Sequence, residues 1–294
     1  MKIAVIGLGA MGIEMATWLA TTFDVVGYDV SEERMDLARE RGVRSADSPS
    51  GACTDADVTL VAVRNRAQLD DLLYGERGII DVLREGSALI LTSTIGIAAV
   101  EEVAAQLSQH GIRFVDAPVS GGPVRAGKGD LLVTVGAYEA DYDFARPVLD
   151  AMASTLVLVG KAPGKGQAMK TVNQLLCGVH IAAGAEALAL AGKLGLDQEM
   201  ALSALMSGAA ESFMLGDRGP RAIQAFRGEE AEVKSRLDIF VKDMGIVTDA
   251  AKAAGIAVPV AAAAEQEYLM GLARGQGAMD DSSVIRVISP DALP

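Results

Sequence analysis

Short, continuously apolar runs alternate with helical stretches through the first 160 residues, and this alternation constrains the fold more than any other feature of the sequence. Strands that are apolar at successive positions are buried on both faces, which is typical of a parallel sheet covered by helices on each side. The predicted strands are KIAVIG (2–7), DVVGYD (24–29), ADVTLVAV (56–63), SALILTST (87–94), IRFVDAPV (112–119), DLLVTVG (130–136) and TLVLVG (155–160). Between them the sequence predicts helices at 12–20, from the cap residue Ser31 to Gly42, and around 66–74 and 98–109.

The pattern changes at residues 161–166, after which the sequence predicts helices alone. Gly and Pro residues separate these helices at the expected starts and stops. We therefore expect an α/β fold with two domains: a doubly wound parallel sheet over residues 1–163, and an all-α domain over residues 164–294 that begins with a long interdomain helix. The predicted helices of the second domain are 166–194, 198–208, 235–254, 259–274 and 283–288.

A glycine-rich turn follows the first predicted strand and opens the first helix. In this pattern the first glycine permits a tight turn, the second lets the backbone approach a pyrophosphate, and the third lets the helix pack close to the strand. The context predicts a Rossmann-type dinucleotide site rather than an ordinary strand–turn–helix connection. Its residues are Gly7, Leu8, Gly9, Ala10, Met11 and Gly12.

An acidic residue, Asp29, ends the second predicted strand about 20 residues after the first glycine, where dinucleotide-binding domains place the ligand of the ribose hydroxyls. A carboxylate here accepts hydrogen bonds from both hydroxyls and repels a 2′-phosphate. The next four residues include two glutamates and no Arg or Lys. We therefore predict NAD as the cofactor, with NADP less favoured; the alternative is that Asp29 only caps a helix.

Ligands of open α/β sheets bind outside the carboxyl ends of the parallel strands. Asn65 and Thr94 follow two of these predicted ends and are candidates to reach the nicotinamide half of the cofactor, although each is equally suited to a turn. Ser120, Gly121 and Gly122 follow a third end. Two glycines after a serine can point successive N–H groups at a carboxylate; a bulge or turn is the alternative.

The long helix that begins near residue 166 carries polar residues on an otherwise apolar stripe. Lys170, Asn173 and Gln174 share this stripe by helical spacing. An amine in the first turns of a helix feels the positive end of the helix dipole, which favours the neutral form that a general base requires. The alternative is a lysine whose apolar stem is buried while its ammonium reaches water at a domain junction.

Composition limits the partners and the compartment. The 26 basic and 39 acidic side chains give a net charge of −13, which disfavours nucleic acids and anionic membranes but not a small anionic substrate. Two cysteines, Cys53 and Cys177, form no disulfide framework, so we expect a cytoplasmic protein. The N-terminal run lacks a signal-peptide pattern, and no uninterrupted apolar stretch reaches the ~18 residues that span a bilayer. No metal site is expected.

Four motifs taken together resemble the β-hydroxyacid dehydrogenase family, in the same order and at similar spacing over essentially the whole chain. They are GLGAMG, DAPVSGG (116–122), GKGQAMKTVNQ (164–174) and the Lys242-Asp243 pair in FVKDMG. The family includes 3-hydroxyisobutyrate dehydrogenases and has a helical C-terminal domain of the 6-phosphogluconate dehydrogenase type. Residues 173–191, FVKDMGIV and DDSSVI are most similar to its threonate-oxidising members.

The resemblance implies hydride transfer between the nicotinamide and a short 3-hydroxy acid of the 3-hydroxyisobutyrate, threonate or glycerate (tartronate semialdehyde) type. It implies that the helical domain serves substrate binding. The long, Ala-rich helices of that domain also suggest helix packing between subunits, so we predict a homodimer or homotetramer. The implied roles are general acid/base for Lys170, catalysis and substrate binding for Asn173, binding of the substrate carboxylate for Ser120, Gly121 and Gly122, and contact with the nicotinamide end for Asn65, Thr94 and Lys242.

The chain departs from the family pattern at Arg64 and Arg66, where relatives carry small or apolar residues around the Asn. Two other functions share this architecture: an imine reductase that uses NADPH, and a dinucleotide-binding sensor without catalysis. Lys170 and Asp29 argue against the first. Retention of the Lys, the Asn and the Ser-Gly-Gly loop argues against the second, since a sensor needs only the nucleotide site.

Overall fold

The computed structural model describes residues 1–289, and the chain divides into two compact units, Met1–Lys170 and Thr171–Pro294. The last five positions of the second predicted domain, 290–294, lie outside the described residues. Each unit has its own hydrophobic core, and the division falls within the long helix Lys165–Lys193, after Lys170.

A sheet forms the centre of the first unit. Six of its strands lie in the order β3-β2-β1-β4-β5-β6 and pair in parallel, which is the Rossmann order, so the predicted fold class is confirmed. The strands within the described residues are β1 (Lys2–Ile6), β2 (Asp24–Tyr28), β3 (Arg44–Ser45), β4 (Val58–Val61), β5 (Ala88–Leu91), β6 (Arg113–Asp116), β7 (Val119–Ser120), β8 (Leu131–Gly136) and β9 (Ala153–Gly160).

Each central strand contributes to a core on both sides of the sheet. In β1, Ile3 and Val5 point into one core, whereas Ala4 and Ile6 point into the other. Strands β4 and β5 are buried at every position. This two-sided burial explains why the runs are continuously apolar instead of alternating.

The sheet departs from an all-parallel arrangement at its far edge. Strand β8 pairs antiparallel with β6, through Asp116 and Gly136, and antiparallel with β7; β9 then pairs parallel with β8. A parallel connection needs a crossover of a dozen or more residues. Between β7 and β8 the chain forms only a five-residue helix at Gly122–Ala126, which reverses its direction instead.

Helices cover both faces of the sheet, and most of them match the predicted stretches. The predicted helices at 66–74 and 98–109 form within one residue of those bounds. The helices of the first unit are α1 (Gly12–Leu19), α2 (Glu32–Glu40), α3 (Pro49–Cys53), α4 (Arg66–Tyr74), α5 (Ile97–Gln109), α6 (Gly122–Ala126) and α7 (Glu139–Met152).

The second unit is helical, as predicted, but it contains a helix that the sequence analysis did not identify, at Phe213–Phe226. Gly219 and Pro220 lie inside this helix, although both residue types usually interrupt helices. A Cβ atom on Gly219 would lie 2.6 Å from Leu202, so the glycine permits close packing against the preceding helix. The remaining helices are α8 (Lys165–Lys193), α9 (Gln198–Met206), α10 (Phe213–Phe226), α11 (Leu237–Ala253), α12 (Pro259–Ala273), the 3-10 turn Asp281–Val284 and α13 (Ile285–Ile288).

Helix α8 packs closely against its neighbours in the second unit. A Cβ atom on Gly178 would meet the side chain of Met244, and the Tyr268 hydroxyl donates to the Gly178 carbonyl at 2.8 Å. Helix α8 is long and apolar enough to cross a membrane, but core helices of soluble proteins can be equally long and apolar. Its residues Ile181 and Leu188 are buried in the core of the helical unit.

Candidate active site

The glycine-rich turn between β1 and α1 has three glycines with different physical roles. Gly7 has φ = 92°, and a Cβ atom there would lie 2.6 Å from the Ala62 carbonyl oxygen. A Cβ atom on Gly12 would lie 1.8 Å from the Gly7 carbonyl oxygen, so both residues are required for packing within the protein. Gly9 has no such neighbour within 4 Å. The space beside Gly9 therefore fits the close approach of a dinucleotide pyrophosphate.

Asp29 connects the end of β2 to this turn. Its carboxylate accepts the Leu8 N–H at 2.6 Å and the Ser31 N–H at 2.9 Å. Each carboxylate oxygen retains a further acceptor position for a ribose hydroxyl. Ser31, which the sequence predicted to cap α2, occupies the N-cap position but forms no side-chain cap hydrogen bond. Asp29 thus lies beside the glycine turn, and its hydrogen bond with the Leu8 N–H holds that turn in position.

Asn65 forms the N-cap of α4. Its side-chain oxygen accepts the Gln68 N–H at 2.9 Å, and the Gln68 side-chain oxygen accepts the Arg64 N–H at 2.9 Å. This reciprocal arrangement uses the oxygen of the Asn65 amide and leaves its nitrogen outside the motif. Thr94 lies half-buried in the loop between β5 and α5.

The two arginines that depart from the family pattern have different environments. Arg66 pairs with Asp70 at 2.7 Å and with Glu102 at 3.0 Å, and therefore ties α4 to α5. Arg64 is exposed at the surface. Of the two, Arg66 has a structural role.

The Ser120–Gly122 segment has the backbone conformation that its glycines permit. Gly121 has φ = 139° and Gly122 has φ = 74°, backbone angles that residues other than glycine rarely adopt. A Cβ atom on Gly122 would have no neighbour within 4 Å. Ser120 is half-buried and pairs with Leu132 across β7 and β8.

Gln167 was not among the predicted site residues, yet its buried side chain makes four hydrogen bonds within the first unit. Its oxygen accepts the N–H groups of Ile95 and Gly96 at 3.0 and 3.2 Å. Its nitrogen donates to the Ser93 carbonyl at 3.0 Å and to the Asp116 carboxylate at 2.9 Å. The side chain thus ties the first turns of α8 to the loop that carries Thr94.

Asp116 completes this connection from the end of β6. Its carboxylate also accepts the backbone N–H groups of Gly164 and Gln167, at 3.1 and 2.9 Å. Burial raises the pKa of this carboxyl to about 6, against the opposing effect of these hydrogen bonds. A carboxylate at the end of a largely apolar strand was the signal in the sequence that could have identified the pair.

Lys170 lies half-buried on α8, three residues after Gln167. The Gln167 hydrogen bonds therefore hold the turn that carries Lys170 at the carboxyl edge of the sheet. The carboxyl ends of β1, β5 and β7 carry the glycine turn, the Thr94 loop and the Ser120–Gly122 segment at the same edge. Within the first unit, the structure thus groups the predicted cofactor and carboxylate positions with the predicted base.

The predicted site residues of the second unit form a hydrogen-bonded chain. The Asn173 side chain donates to the Gln174 side-chain oxygen at 2.9 Å, and the Gln174 nitrogen donates to Asp243 at 2.5 Å. Lys242 pairs with the other oxygen of Asp243 at 2.7 Å. Gln174, predicted only to share the polar stripe with Lys170 and Asn173, thus contacts α11. Among residues 1–289, no cluster of three or more potential metal ligands occurs.

Two family descriptions match the chain. Residues 2–160 match the NAD binding domain of 6-phosphogluconate dehydrogenase, and residues 164–288 match the NAD-binding domain of NADP-dependent 3-hydroxyisobutyrate dehydrogenase. The two matches together span both units and agree with the order of domains in the fold.

Similar proteins with assigned activities cover the full length. L-threonate dehydrogenase of Cupriavidus necator is 36% identical over 100% of this chain and 98% of its own, and that of Escherichia coli K12 is 34% identical over 99% and 96%. A crystal structure of 3-hydroxyisobutyrate dehydrogenase from Salmonella typhimurium, 34% identical, covers 97% of this chain and 99% of its own with a TM-score of 0.90. The chain therefore belongs to the 3-hydroxyisobutyrate dehydrogenase family, the β-hydroxyacid dehydrogenases, and is an oxidoreductase that acts on a CH–OH group.

Proposed function

We propose that this protein oxidises a short 3-hydroxy acid with NAD, and that L-threonate is the first candidate substrate. The full-length relatives named L-threonate dehydrogenase support this substrate, and 3-hydroxyisobutyrate and glycerate are the other candidates. The observation that carries the proposal is the Gln167 connection, because it holds the turn with Lys170 beside the loop with Thr94.

The choice of NAD over NADP rests on charge at the end of β2. Asp29 has a carboxylate where the ribose hydroxyls would bind, and Glu32 and Glu33 follow in the first turn of α2. Arg39, the basic residue in the last turn of that helix, is already paired with Glu32 at 2.6 Å. A 2′-phosphate would meet carboxylates here, which disfavours NADP.

In the proposed mechanism, the chain supplies a base, a carboxylate site and a cofactor site. NAD, when bound, supplies the hydride acceptor. The N–H groups of the Ser120–Gly122 segment hold the substrate carboxylate, and Lys170 removes the hydroxyl proton as the hydride leaves carbon. In the reverse direction Lys170 returns that proton. Asn173 binds the substrate, while Asn65, Thr94 and Lys242 face the nicotinamide end of the cofactor.

We also propose a homodimer or homotetramer in the cytoplasm, assembled through the helical domain, whose limits we place at 164–294. Apolar side chains on α8 support assembly, since Val172, Leu176 and Leu190 are each about half exposed. Surfaces of this kind are typical of protein interfaces. Light scattering of the purified protein measures the mass, and a monomer would contradict the proposal.

The decisive experiment follows cofactor reduction by absorbance with NAD or NADP and a panel of L-threonate, 3-hydroxyisobutyrate and glycerate. We expect turnover with NAD and at least one of these acids. Binding of NAD without turnover of any acid would instead support a dinucleotide sensor. Reduction of a cyclic imine with NADPH, without oxidation of the acids, would support an imine reductase.

A further inference from the structure

The buried carboxylate of Asp243 fixes which end of the Gln174 amide faces it, and through Gln174 it also fixes the orientation of the Asn173 amide. Asp243 and Gln174 are both buried, and the Gln174 nitrogen donates to Asp243 Oδ2 at 2.5 Å. Asp243 is paired through its other oxygen with Lys242 at 2.7 Å. A carboxylate only accepts hydrogen bonds, so Gln174 must present its NH₂ group to Asp243.

This orientation of Gln174 determines that of its neighbour. With its nitrogen turned to Asp243, Gln174 presents its oxygen to Asn173 and accepts the Asn173 Nδ2–H at 2.9 Å. The sulfur of Cys177 lies 3.4 Å from the same nitrogen and takes the second N–H. Both N–H groups of Asn173 are therefore used within the second unit, and its oxygen is the atom that remains for a ligand.

Close packing of helices α8 and α11 leaves the Gln174 amide with one favourable orientation. Gly178, one turn after Gln174, admits the side chain of Met244, the residue that follows Asp243. A reversed Gln174 amide would place its oxygen against the Asp243 carboxylate in a buried setting, and an unsatisfied or repelling pair there is costly.

We propose that Gln174 and Asp243 are positioning residues that turn the oxygen of Asn173 towards the substrate, so that Asn173 accepts a hydrogen bond from a substrate hydroxyl rather than donating one to the carboxylate. The inference rests on the proposed function and adds a specificity rule to it. A hydroxylated acid gains this hydrogen bond, whereas an acid without hydroxyl groups gains nothing from it.

Three variants of the chain distinguish the orientation of the amide groups from other effects of mutation. Asp243→Asn lets Gln174 reverse, because an asparagine both donates and accepts. The double variant Gln174→Glu/Asp243→Asn restores the direction: a carboxylate at 174 only accepts, from Asn173 on one side and from residue 243 on the other. Both proteins lose the Lys242 ion pair equally, so their difference reports the amide direction. Gln266→Ala, at an exposed position on α12, is the control.

Steady-state kinetics with L-threonate, or with 3-hydroxyisobutyrate if only that acid is oxidised, are compared with inhibition by butyrate, which has a carboxylate and no hydroxyl. For Asp243→Asn we expect kcat/KM to fall at least tenfold, about 1.4 kcal/mol, with the butyrate inhibition constant changed less than twofold. The double variant should return to within about threefold of wild type. Failure of that recovery, or an equal loss of butyrate binding, would overturn the inference.

A second measurement applies even if no acid is oxidised, an outcome that would remove the proposed function. A double-mutant cycle between Asn173→Ala and Asp243→Asn, followed by urea unfolding of the protein without ligands, measures their coupling through Gln174. Coupling is expected because Asp243 sets the partner of Asn173. Strictly additive effects would show that the two residues are independent and would reject the arrangement of amides.

Discussion

The side-chain nitrogen of Gln167 donates to Oδ1 of Asp116 at 2.9 Å, and so links the first turns of α8 to the end of β6. The oxygen of the same amide accepts two N–H groups from the loop that follows β5. Lys170 is therefore held at the sheet edge by a residue that has no place in the proposed chemistry.

Replacement of Gln167 should destabilise the first unit. Gln167→Ala leaves the buried Asp116 carboxylate and two loop N–H groups without their partner, and we expect a loss of about 3 kcal/mol in the free energy of unfolding. Gln167→Glu should be equally harmful, since it places a second carboxylate beside Asp116. Urea unfolding measures the loss. Gln109→Ala, at an exposed helix end, should change stability by less than ~0.5 kcal/mol; an equal effect of both alanines would contradict this role.

Gly9→Ala and Gly12→Ala form a matched pair in the cofactor turn. A methyl group on Gly9 meets no protein atom within 4 Å, so the fold should tolerate it, yet it would occupy the space proposed for the pyrophosphate. A methyl group on Gly12 would collide with the Gly7 carbonyl. We expect Gly9→Ala to weaken NAD binding at least tenfold by calorimetry with an unchanged Tm, and Gly12→Ala to lower the Tm. Unchanged NAD affinity in Gly9→Ala would place the pyrophosphate elsewhere.

Loss of the Lys170 amine should slow proton transfer without affecting the nucleotide site. Lys170→Ala is expected to reduce kcat by about 10²–10⁴-fold, the usual range for a general acid/base. The Kd for NAD should stay within about twofold of wild type. Lys193→Ala, at the exposed end of the same helix, is the control and should retain activity. Wild-type turnover by Lys170→Ala would exclude Lys170 as the base.

Asp29 should determine the choice between NAD and NADP. Asp29→Ala removes the proposed ligand of the ribose hydroxyls and the charge that repels a 2′-phosphate, so the ratio of kcat/KM for NAD over NADP should fall at least tenfold. Its hydrogen bonds to Leu8 and Ser31 are lost too, which should weaken binding of both cofactors. Glu40→Gln, at the exposed far end of α2, should leave the ratio within about threefold. A parallel loss for both cofactors, with the ratio unchanged, would limit Asp29 to holding the turn.

Glu267 should make stability decline towards neutral pH. Burial, and then the nearby Glu186 carboxyl, raise the pKa of Glu267 from 4.5 to about 7. The folded state therefore holds this proton more tightly, so the stabilisation is full below pH 4.5 and is lost as the pH rises through about 7. Glu267→Gln should remove this decline and be more stable than wild type at pH 8, by on the order of 1 kcal/mol after solvent screening.

Urea unfolding at pH 5 and pH 8 measures this difference. Glu230→Gln, an exposed acid, should retain the wild-type dependence. Because the pKa of Asp116 is also raised, to about 6, the free energy of unfolding still declines with rising pH in both variants, although less steeply in Glu267→Gln. An identical slope in Glu267→Gln and wild type would show that Glu267 does not titrate in this range.

Local patterns in the sequence predicted much of the first unit. Continuous apolar runs identified the parallel strands, because a strand buried on both faces cannot alternate. The glycine spacing located the turn between β1 and α1, since a Cβ atom on Gly7 or Gly12 would collide with backbone a few residues away or at the end of the adjacent strand. Helix α4 was placed correctly for the same reason, as Asn65 forms its cap with Gln68.

Other features depended on contacts that no local pattern reports. Helix α10 was missed because Gly219 and Pro220 are breakers in isolation, whereas Leu202 packs directly against that glycine. Strand β8 was expected to be parallel, but its short connection reverses it. Gln174 was recognised as polar on an apolar stripe without any indication of its partner.

The sequence by itself determined the Rossmann domain, the helical domain and the family, because these follow from periodicity and from motifs that are contiguous in the chain. Only the tertiary structure decided what holds the proposed site residues in place. Gln167 meets Asp116 across 51 positions, and Gln174 meets Asp243 across 69. Such pairs form only after the helices and strands have packed, because a buried amide takes its direction from whichever partner the packing brings to it.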